Sequence, residues 1–354
     1  MRKLFIIIVL PLLLTSLFSQ EWNRLLDLRG ANWKFEIGDN PQWATPEFDD
    51  QEWAMIFVPS NWEDEGFPGY DGYAWYRKHF RFNLKKPETT IYLHLGKIDD
   101  VDEVYLNGHV IGFTGEFPPG YRTAYNIYRT YPVPAEYLNH SGANVLAIRV
   151  YDIQMEGGIV DGQVGLFELT DDPNFLINLA GIWKFRTGDD LEWSEPGYEE
   201  EQWHPINVPA NWEYQGFRDY DGFAWYRKTF HFHQKQIPQE ELVLMLGKID
   251  DLDEVYLNGQ LIGKTGELNR SQPEVDGDEW QELRAYIFPS KILNHSGKNV
   301  IAVRIYDGLY DGGIYQGPIG IMSSEHFARW KNLTDKGNNL DDKLLQLLDI
   351  LFGK

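Results

Sequence analysis

The stretch LGKIDDVDEVYLNGHVIGFTGE (Leu95–Glu116) occurs again as LGKIDDLDEVYLNGQLIGKTGE (Leu246–Glu267), with 18 of 22 residues unchanged. In each copy an Asn-Gly pair, Asn107–Gly108 or Asn258–Gly259, stands between two apolar runs. This pair is the preferred two-residue hairpin turn because both residues tolerate positive φ. The stretch therefore predicts the same β-hairpin in both halves of the chain.

The repetition extends well beyond this stretch. Other matching segments are YDGYAWYRKHF and YDGFAWYRKTF at Tyr70 and Tyr220, VPSNWEDEGF and VPANWEYQGF at Val58 and Val208, and NHSGANVLAIRVYD and NHSGKNVIAVRIYD at Asn139 and Asn294. The offset grows slowly, from 150 residues at Tyr70 to 155 at Asn139. Such a period indicates a duplicated domain, because solenoid units repeat every roughly 20–50 residues. We predict two copies of one domain, at residues 22–170 and 171–325.

The pattern within each copy is typical of strands. In IYLHLG and VLAIRVY, apolar residues alternate with polar or aromatic ones, as in a strand with one buried face. Many short strands with Gly, Pro and Asn turns predict an all-β fold, with an antiparallel jelly-roll sandwich in each copy.

The tail, residues 326–354, has a different pattern. Leucines at helical spacing in Leu340–Phe352 predict a short amphipathic C-terminal helix. This helix either caps the second domain or docks on a partner protein.

Composition narrows the partners. The chain of 354 residues has a formal charge of −22, no cysteine, and 13 Trp, 20 Tyr and 20 Phe. A polyanion requires a basic surface, so the acidic balance argues against nucleic acid or an anionic membrane as partner. Without cysteine there is no disulfide, thiolate nucleophile or cysteine-based zinc site. So many aromatic side chains form either core or an exposed stacking surface.

The N-terminus has the pattern of an export signal. Arg2 and Lys3 precede an apolar run, and serines follow it. Residues 1–20 are therefore predicted to be a secretory signal peptide, which gives a periplasmic or secreted mature protein with no membrane span. A retained membrane anchor is the alternative.

Catalytic signatures are missing from the sequence, but clustered carboxylates are not. There is no G-x-S-x-G elbow, H-E-x-x-H pair or phosphate-binding glycine loop. Acidic residues at Asp99, Asp100, Asp102 and Glu103 recur at Asp250, Asp251, Asp253 and Glu254. The favoured interpretation is a turn whose side chains bond to the backbone, with a structural Ca²⁺ site next and a glycosidase carboxylate pair as a further alternative.

The segment before the repeated AWYRK strand combines aromatic and charged residues. Trp62, Tyr70 and Trp75 lie close in sequence to Asp71 and Arg77. Flat rings that stack on sugar C–H faces, beside carboxylates that take hydroxyls, are the components of a sugar site. The alternative is that the tryptophans belong to the core and Tyr70–Gly72 is a tight turn.

These motifs together resemble the sugar-binding jelly-roll domain of family 2 glycoside hydrolases, the β-galactosidase group. They are equally similar to the galactose-binding-like domain of bacterial sialate O-acetylesterases. The resemblance covers nearly the whole of each copy and implies a galactose-binding-like β-sandwich. In those enzymes the domain borders the active site, and the catalytic residues lie in another domain.

The resemblance also implies which positions reach the sugar or its cation. They are Asn61, Trp62, Tyr70, Asp71 and Asp152 in the first copy, and Asn211, Trp212, Tyr220, Asp221 and Asp307 in the second. The two copies extend to about residue 325, so the family's catalytic residues have no counterparts, and no catalytic residue or metal ligand is assigned.

The predicted function is that of a non-catalytic, secreted carbohydrate-binding protein whose ligand is a galactose-type sugar. One alternative is a glycoside hydrolase or carbohydrate esterase, or an accessory subunit of one. The other is a structural module that docks on a partner enzyme through its C-terminal helix.

Overall fold

The computed structural model describes residues 22–83, 89–140, 142–170, 173–232, 241–268, 273–275 and 277–332. The predicted signal peptide and the predicted helix at Leu340–Phe352 lie outside these residues. Within the described ranges, no helix has the length and apolar character needed to cross a membrane.

The first half consists of ten strands and three 3₁₀ turns. The strands are β1 (Trp22–Asp27), β2 (Gly30–Ile37), β3 (Ala54–Val58), β4 (Gly72–Phe80), β5 (Ile91–Asp99), β6 (Val101–Leu106), β7 (His109–Thr114), β8 (Tyr128–Val133), β9 (Asn144–Asp152) and β10 (Gly158–Leu169). The 3₁₀ turns are Pro41–Ala44, Trp62–Glu65 and Ala135–Tyr137.

The second half repeats this order. Its strands are β11 (Ile177–Asn178), β12 (Gly181–Thr187), β13 (His204–Val208), β14 (Gly222–His231), β15 (Glu241–Asp250), β16 (Leu252–Leu257), β17 (Gln260–Thr265), β18 (Leu283–Pro289), β19 (Lys298–Asp307) and β20 (Gly313–Ser323). Its 3₁₀ turns are Leu191–Ser194, Trp212–Gln215, Glu279–Gln281 and Ser290–Ile292.

The strands form four antiparallel sheets, two in each half. The first half has a four-stranded sheet in the order β1-β10-β5-β8 and a six-stranded sheet in the order β3-β2-β4-β9-β6-β7. The second half has the corresponding orders β11-β20-β15-β18 and β13-β12-β14-β19-β16-β17. The predicted hairpins are present, since β6 pairs with β7 and β16 with β17, and Asn107, Gly108, Asn258 and Gly259 all have positive φ.

The arrangement of the sheets differs from the prediction. The chain is mostly strand, as expected, but its sheets are arranged as a four-bladed, propeller-like ring. Two tandem jelly-roll sandwiches of galactose-binding-like fold were therefore the wrong prediction. Period-two alternation shows that a segment is a strand and which face is apolar. It does not determine which distant strands pair or how complete sheets are placed, because those depend on contacts between residues far apart in the sequence.

The largest apolar cluster of each half takes side chains from both of its sheets. In the first half, Trp33 and Tyr76 of the six-stranded sheet share this cluster with Leu93 and Leu166 of the four-stranded one. Trp62 belongs to it and is completely buried, and Trp212 has the same position in the second half.

The repeated AWYRK strand is buried on both faces. Tyr76 and Phe80 face the main cluster, while Trp75 lies in a second cluster with Trp53. Arg77 is fully buried beside Trp75 and donates from Nε to Asp50 at 2.7 Å. The segment is thus mainly structural, and its repetition reflects two equivalent cores.

A buried ion pair joins strands and loops in each half. Arg129 Nε donates to Asp102 Oδ1 at 2.7 Å, and both side chains are completely buried. The same guanidinium donates to the carbonyls of Ala124, Ile127 and Asp100. Arg284 and Asp253 repeat the pair at 2.7 Å in the second half.

One helix follows the last strand, at residues 324–332. Phe327 and Trp330 on this helix pack against Val243, Met245 and Met322 of the four-stranded sheet. The predicted helix at Leu340–Phe352 is further along the tail, and no helix was predicted at residues 324–332.

The two halves are in direct contact. The backbone N–H of Gly115 donates to the carbonyl of Tyr214 at 3.0 Å. Asn207 Nδ2 donates to the carbonyl of Phe113 at 2.6 Å. The β7 edge of the first half therefore lies against β13 and the following 3₁₀ turn of the second.

Trp62→Ala is expected to lower the free energy of unfolding by about 3–5 kcal/mol, because it removes a large, fully buried ring. Denaturant unfolding followed by circular dichroism measures the change. Tyr125→Ala is the matched control, since Tyr125 is 55% exposed, and a change within about 0.5 kcal/mol is expected there. An unaltered unfolding midpoint for Trp62→Ala would contradict the core assignment.

Arg129→Met is expected to cost about 3–5 kcal/mol of stability, because Asp102 is then buried without its cation. The double variant Arg129→Met/Asp102→Leu should recover part of this loss. Arg29→Met tests the exposed pair with Asp27 and should cost less than about 1 kcal/mol. If the double variant is no more stable than the single one, the unpaired charge is not the source of the loss.

Candidate functional site

Three carboxylates meet where two central strands of each half end. Asp99 ends β5, Asp100 follows it in the turn, and Asp152 ends β9. One oxygen from each of these side chains lies within 4.8 Å of the other two. We call this set the first carboxylate cluster. The second carboxylate cluster has the same geometry and consists of Asp250, Asp251 and Asp307.

Within the first cluster the three groups have different environments. Asp100 is buried, which opposes ionisation, but hydrogen bonds from its neighbours, including Thr123 and Tyr121, outweigh burial and lower its pKa. Asp152 Oδ1 accepts from the backbone of Gln154 at 3.2 Å, whereas its Oδ2 accepts from no N–H or hydroxyl group of the described residues. The Asp152 side chain also interacts with the neighbouring carboxyl group of Asp100. Burial raises the pKa of Asp152 to about 7 and that of Asp99 to about 8. At neutral pH this cluster holds protons that free carboxyl groups would release.

The second cluster repeats this pattern. Asp251 Oδ2 accepts from the backbone N–H of Gly308 at 3.0 Å, and Asp307 Oδ1 accepts from that of Leu309 at 3.2 Å. Asp307 Oδ2 accepts no hydrogen bond from any residue in the described ranges, and the side chain is completely buried. Burial raises the pKa of Asp250 to about 8 and that of Asp307 to about 7.

A cavity of about 640 Å³ opens beside the second cluster. It is bounded by two of the clustered carboxylates and by side chains of two loops: Asp250, Asp251, Pro273, Val275, Gly277, Trp280, Tyr306, Gly308, Leu309, Tyr310 and Asp311. Trp280 is 41% exposed and Tyr310 85% exposed. The cavity therefore combines accessible aromatic rings with carboxylates.

The first half has counterparts for these aromatic positions. Arg284 bonds to the carbonyls of residues 279 and 282 as Arg129 bonds to those of residues 124 and 127, so Trp280 corresponds to Tyr125. Tyr310 corresponds to Met155, and both have positive φ and are at least 80% exposed. The loops around the two clusters thus share backbone geometry but present different side chains.

The ten predicted ligand residues lie at several depths. Asp152 and Asp307 are in the clusters, and the charges of exposed Asp71 and Asp221 help to raise their pKa values. Trp62 and Trp212 pack in the cores behind the clusters and have no exposed ring face. Their role as ligand contacts stays a prediction.

The remaining predicted residues make local bonds. Asn61 Nδ2 donates to Glu156 Oε2 at 2.8 Å, and Asn211 accepts through its carbonyl from Gln215 at 3.1 Å. Tyr70 and Tyr220 donate to backbone carbonyls three residues ahead, at 2.6 and 2.5 Å.

The repeated acidic segment divides between two roles. Asp102 and Asp253 serve the buried arginine pairs, and Glu103 and Glu254 accept from Tyr105 and Tyr256. Asp99, Asp100, Asp250 and Asp251 join the carboxylate clusters. Sequence reasoning missed Trp280 and Tyr310, because no repeated motif marks either residue. The sequence feature that could have pointed to them is a large aromatic residue within a segment rich in Gly and Asp.

Comparison with known proteins identifies a family for this chain. The model of the β-galactosidase second all-β domain matches residues 38–156 and 188–308, which together are more than half of the chain. A β-galactosidase of Bacteroides ovatus is 31% identical over 34% of this chain and 14% of its own length. A β-galactosidase of Thermoanaerobacter pseudethanolicus is 29% identical over 32% of this chain and 16% of its own length.

Solved structures give a more distant likeness. A β-glucuronidase of Bacteroides uniformis is 15% identical, with a TM-score of 0.35, over 76% of this chain and 27% of that chain. The chain spans less than one fifth of the length of the curated relatives that it matches. The resemblance to sialate O-acetylesterases stays a prediction. By the extent of the family match, the chain belongs to the family of the second all-β domain of β-galactosidases and is related to family 2 glycoside hydrolases.

Proposed function

We propose that this chain binds carbohydrate without hydrolysing it, and that its ligand site is the cavity beside the second carboxylate cluster. The proposal rests on one observation: a single cavity is lined both by exposed aromatic rings and by carboxyl groups. The rings are those of Trp280 and Tyr310, and the carboxyl groups are those of Asp250, Asp251 and Asp311. Membership of a family found in β-galactosidases supports a sugar as the ligand.

The chemistry of the cavity suits a neutral, hydroxyl-rich ligand. An aromatic ring offers a flat apolar face to the C–H groups of a sugar, and its exposure leaves that face free for stacking. An ionised carboxylate accepts hydrogen bonds and a protonated one can also donate, so the acids of the cavity can bind sugar hydroxyls in either state. A volume near 640 Å³ falls within the usual range of small-ligand sites, roughly 300–1,000 Å³. The described lining contains three aspartates and no lysine or arginine, which favours a neutral sugar over an anionic one, and the family match favours a sugar of galactose type.

The first half is proposed to be a second, weaker site of the same origin. Tyr125 and Asp152 stand at the positions of Trp280 and Asp307, but Met155 replaces Tyr310 and offers no ring for stacking. Two duplicated domains with linked sites would raise the avidity for a glycan long enough to span both. A periplasmic or secreted location, where such glycans occur, is part of the same proposal.

Hydrolysis is the second candidate, and one observation favours it. Asp250 and Asp307 have raised pKa values near a cavity, as a general acid of a glycosidase requires. One oxygen of each group, however, lies within 4.8 Å of one oxygen of the other, which is closer than the separation of about 6.5–9.5 Å in an inverting glycosidase and near that of about 5–5.5 Å in a retaining one. Carboxyl groups this close suit a shared proton or a shared cation better than a glycosidic bond placed between them.

Trp280→Ala and Tyr310→Ala are each expected to weaken glycan binding about tenfold, which corresponds to about 1.4 kcal/mol of lost stacking. Isothermal titration of the purified chain, with galactosides, glucosides and neutral oligosaccharides, measures the affinity. Tyr125→Ala is the matched control at the equivalent position of the first half. It should leave the stronger site unchanged. Absence of binding across the panel, or equal affinity in all three variants, would refute the cavity as the sugar site.

The enzymatic candidate is tested with aryl glycosides and aryl acetates. The purified chain is expected to release no chromophore above the buffer rate. Turnover that Asp307→Asn abolishes and Asp221→Asn retains would replace the binding function with hydrolysis.

A further inference from the structure

The carboxylate clusters have no cation of their own. Among the ion pairs of the described residues, none involves Asp99, Asp100 or Asp152, nor their three counterparts. Arg129 approaches the first cluster, but its guanidinium donates to Asp102 and to backbone carbonyls, including that of Asp100. The fold thus supplies an arginine to one buried aspartate and leaves the three beside it without one.

In each cluster, one buried oxygen accepts no hydrogen bond from an N–H or hydroxyl group of the described residues. Asp152 and Asp307 are completely buried, and the Oδ2 atom of each lacks such a bond although Oδ1 accepts one. A buried carboxylate oxygen without donor or cation is costly, and native proteins rarely retain one. The same orphaned atom occurs at the same strand end in both halves. An accidental feature of one loop would not be expected at the equivalent position of the other half.

We propose that each cluster binds one Ca²⁺ ion. Calcium takes oxygen ligands at about 2.3–2.6 Å, so two oxygens on one ion lie at most about 5 Å apart. Oxygens within 4.8 Å of one another satisfy this limit. Three carboxylates with no nitrogen or sulfur ligand form the hard donor set that suits Ca²⁺. Mg²⁺ requires near-ideal octahedral geometry at about 2.0–2.1 Å and usually keeps several of its waters, so a set of three protein carboxylates suits it less well.

The two clusters differ in the surroundings of their carboxyl oxygens. Asp100 accepts from Tyr121 Oη at 2.5 Å, from Thr123 Oγ1 and from the backbone of Ile153 at 3.3 Å. Asp251, in the described part of the chain, accepts from the backbone of Gly308. Two members of the second cluster line the open cavity, which gives an ion direct access to it. The second cluster is the one that fills first.

The test is a titration of the chelator-treated full chain with Ca²⁺, followed by heat and by competition against Tb³⁺ luminescence. Trp280 lines the cavity with Asp250 and Asp251, so it can sensitise Tb³⁺ in the second cluster. Wild type is expected to bind two ions. Asp307→Asn should bind one, and Asp152→Asn/Asp307→Asn none. Asp71→Asn/Asp221→Asn alters exposed carboxylates nearby and should still bind two.

Thermal unfolding gives a readout that a merely structural aspartate would not share. In EDTA, Asp307→Asn should melt at or above the wild-type temperature, because it removes a buried carboxyl group that has no cation beside it among the described residues. With millimolar Ca²⁺ wild type should gain several degrees and the double Asn variant none. No heat, no luminescence and no Tm shift in wild type would overturn the proposal, and so would unchanged binding in the double variant. An equal response to Mg²⁺ would overturn the assignment to calcium. None of these readouts depends on sugar binding.

Discussion

The candidate site depends on the ion pair between a buried arginine and a buried aspartate in each half. Arg129 neutralises Asp102 and also holds the carbonyls of Ala124, Ile127 and Asp100. One side chain thereby joins β6, β8 and the loop between β7 and β8, and it places Asp100 beside the end of β9. Arg284 repeats the arrangement around Asp253 and Asp251. The arginine adds to the backbone hydrogen bond from Asp100 N–H to the Tyr151 carbonyl, at 3.2 Å, in holding the turn that carries the clustered carboxylates.

The same arrangement explains why the acids differ in role. Burial raises the pKa of Asp253, but the Arg284 guanidinium and the Tyr286 hydroxyl oppose that rise, and this aspartate serves the fold. Asp250 and Asp307 are nearby but lack such partners, so burial raises their pKa values. Neighbouring carboxylates on one short segment therefore have two roles, according to the side of the turn that each faces. Some form structural ion pairs, and the others are able to hold a proton or a cation.

The two halves share their buried interactions and differ in their exposed loops. The strand order, the buried arginine and the three-carboxylate geometry are the same in both halves. The exposed loop positions are not, since Tyr310 corresponds to Met155 and Trp280 to Tyr125. Loops on the surface tolerate such change because their side chains bear little packing, whereas the arginine pair and the cores do not.

The sequence by itself determined the mostly-strand content, the two Asn-Gly hairpins, the equivalence of the two halves and the positions of the clustered aspartates. These follow from local turn chemistry, from period-two alternation and from comparison of the chain with itself. The tertiary structure alone decided the propeller-like arrangement of the four sheets, the burial of Trp62 and Trp212, and the meeting of Asp152 with Asp99 and Asp100. The reason is physical: Asp152 reaches its partners through strand pairing between β6 and β9, a contact between distant parts of the chain that no local pattern encodes.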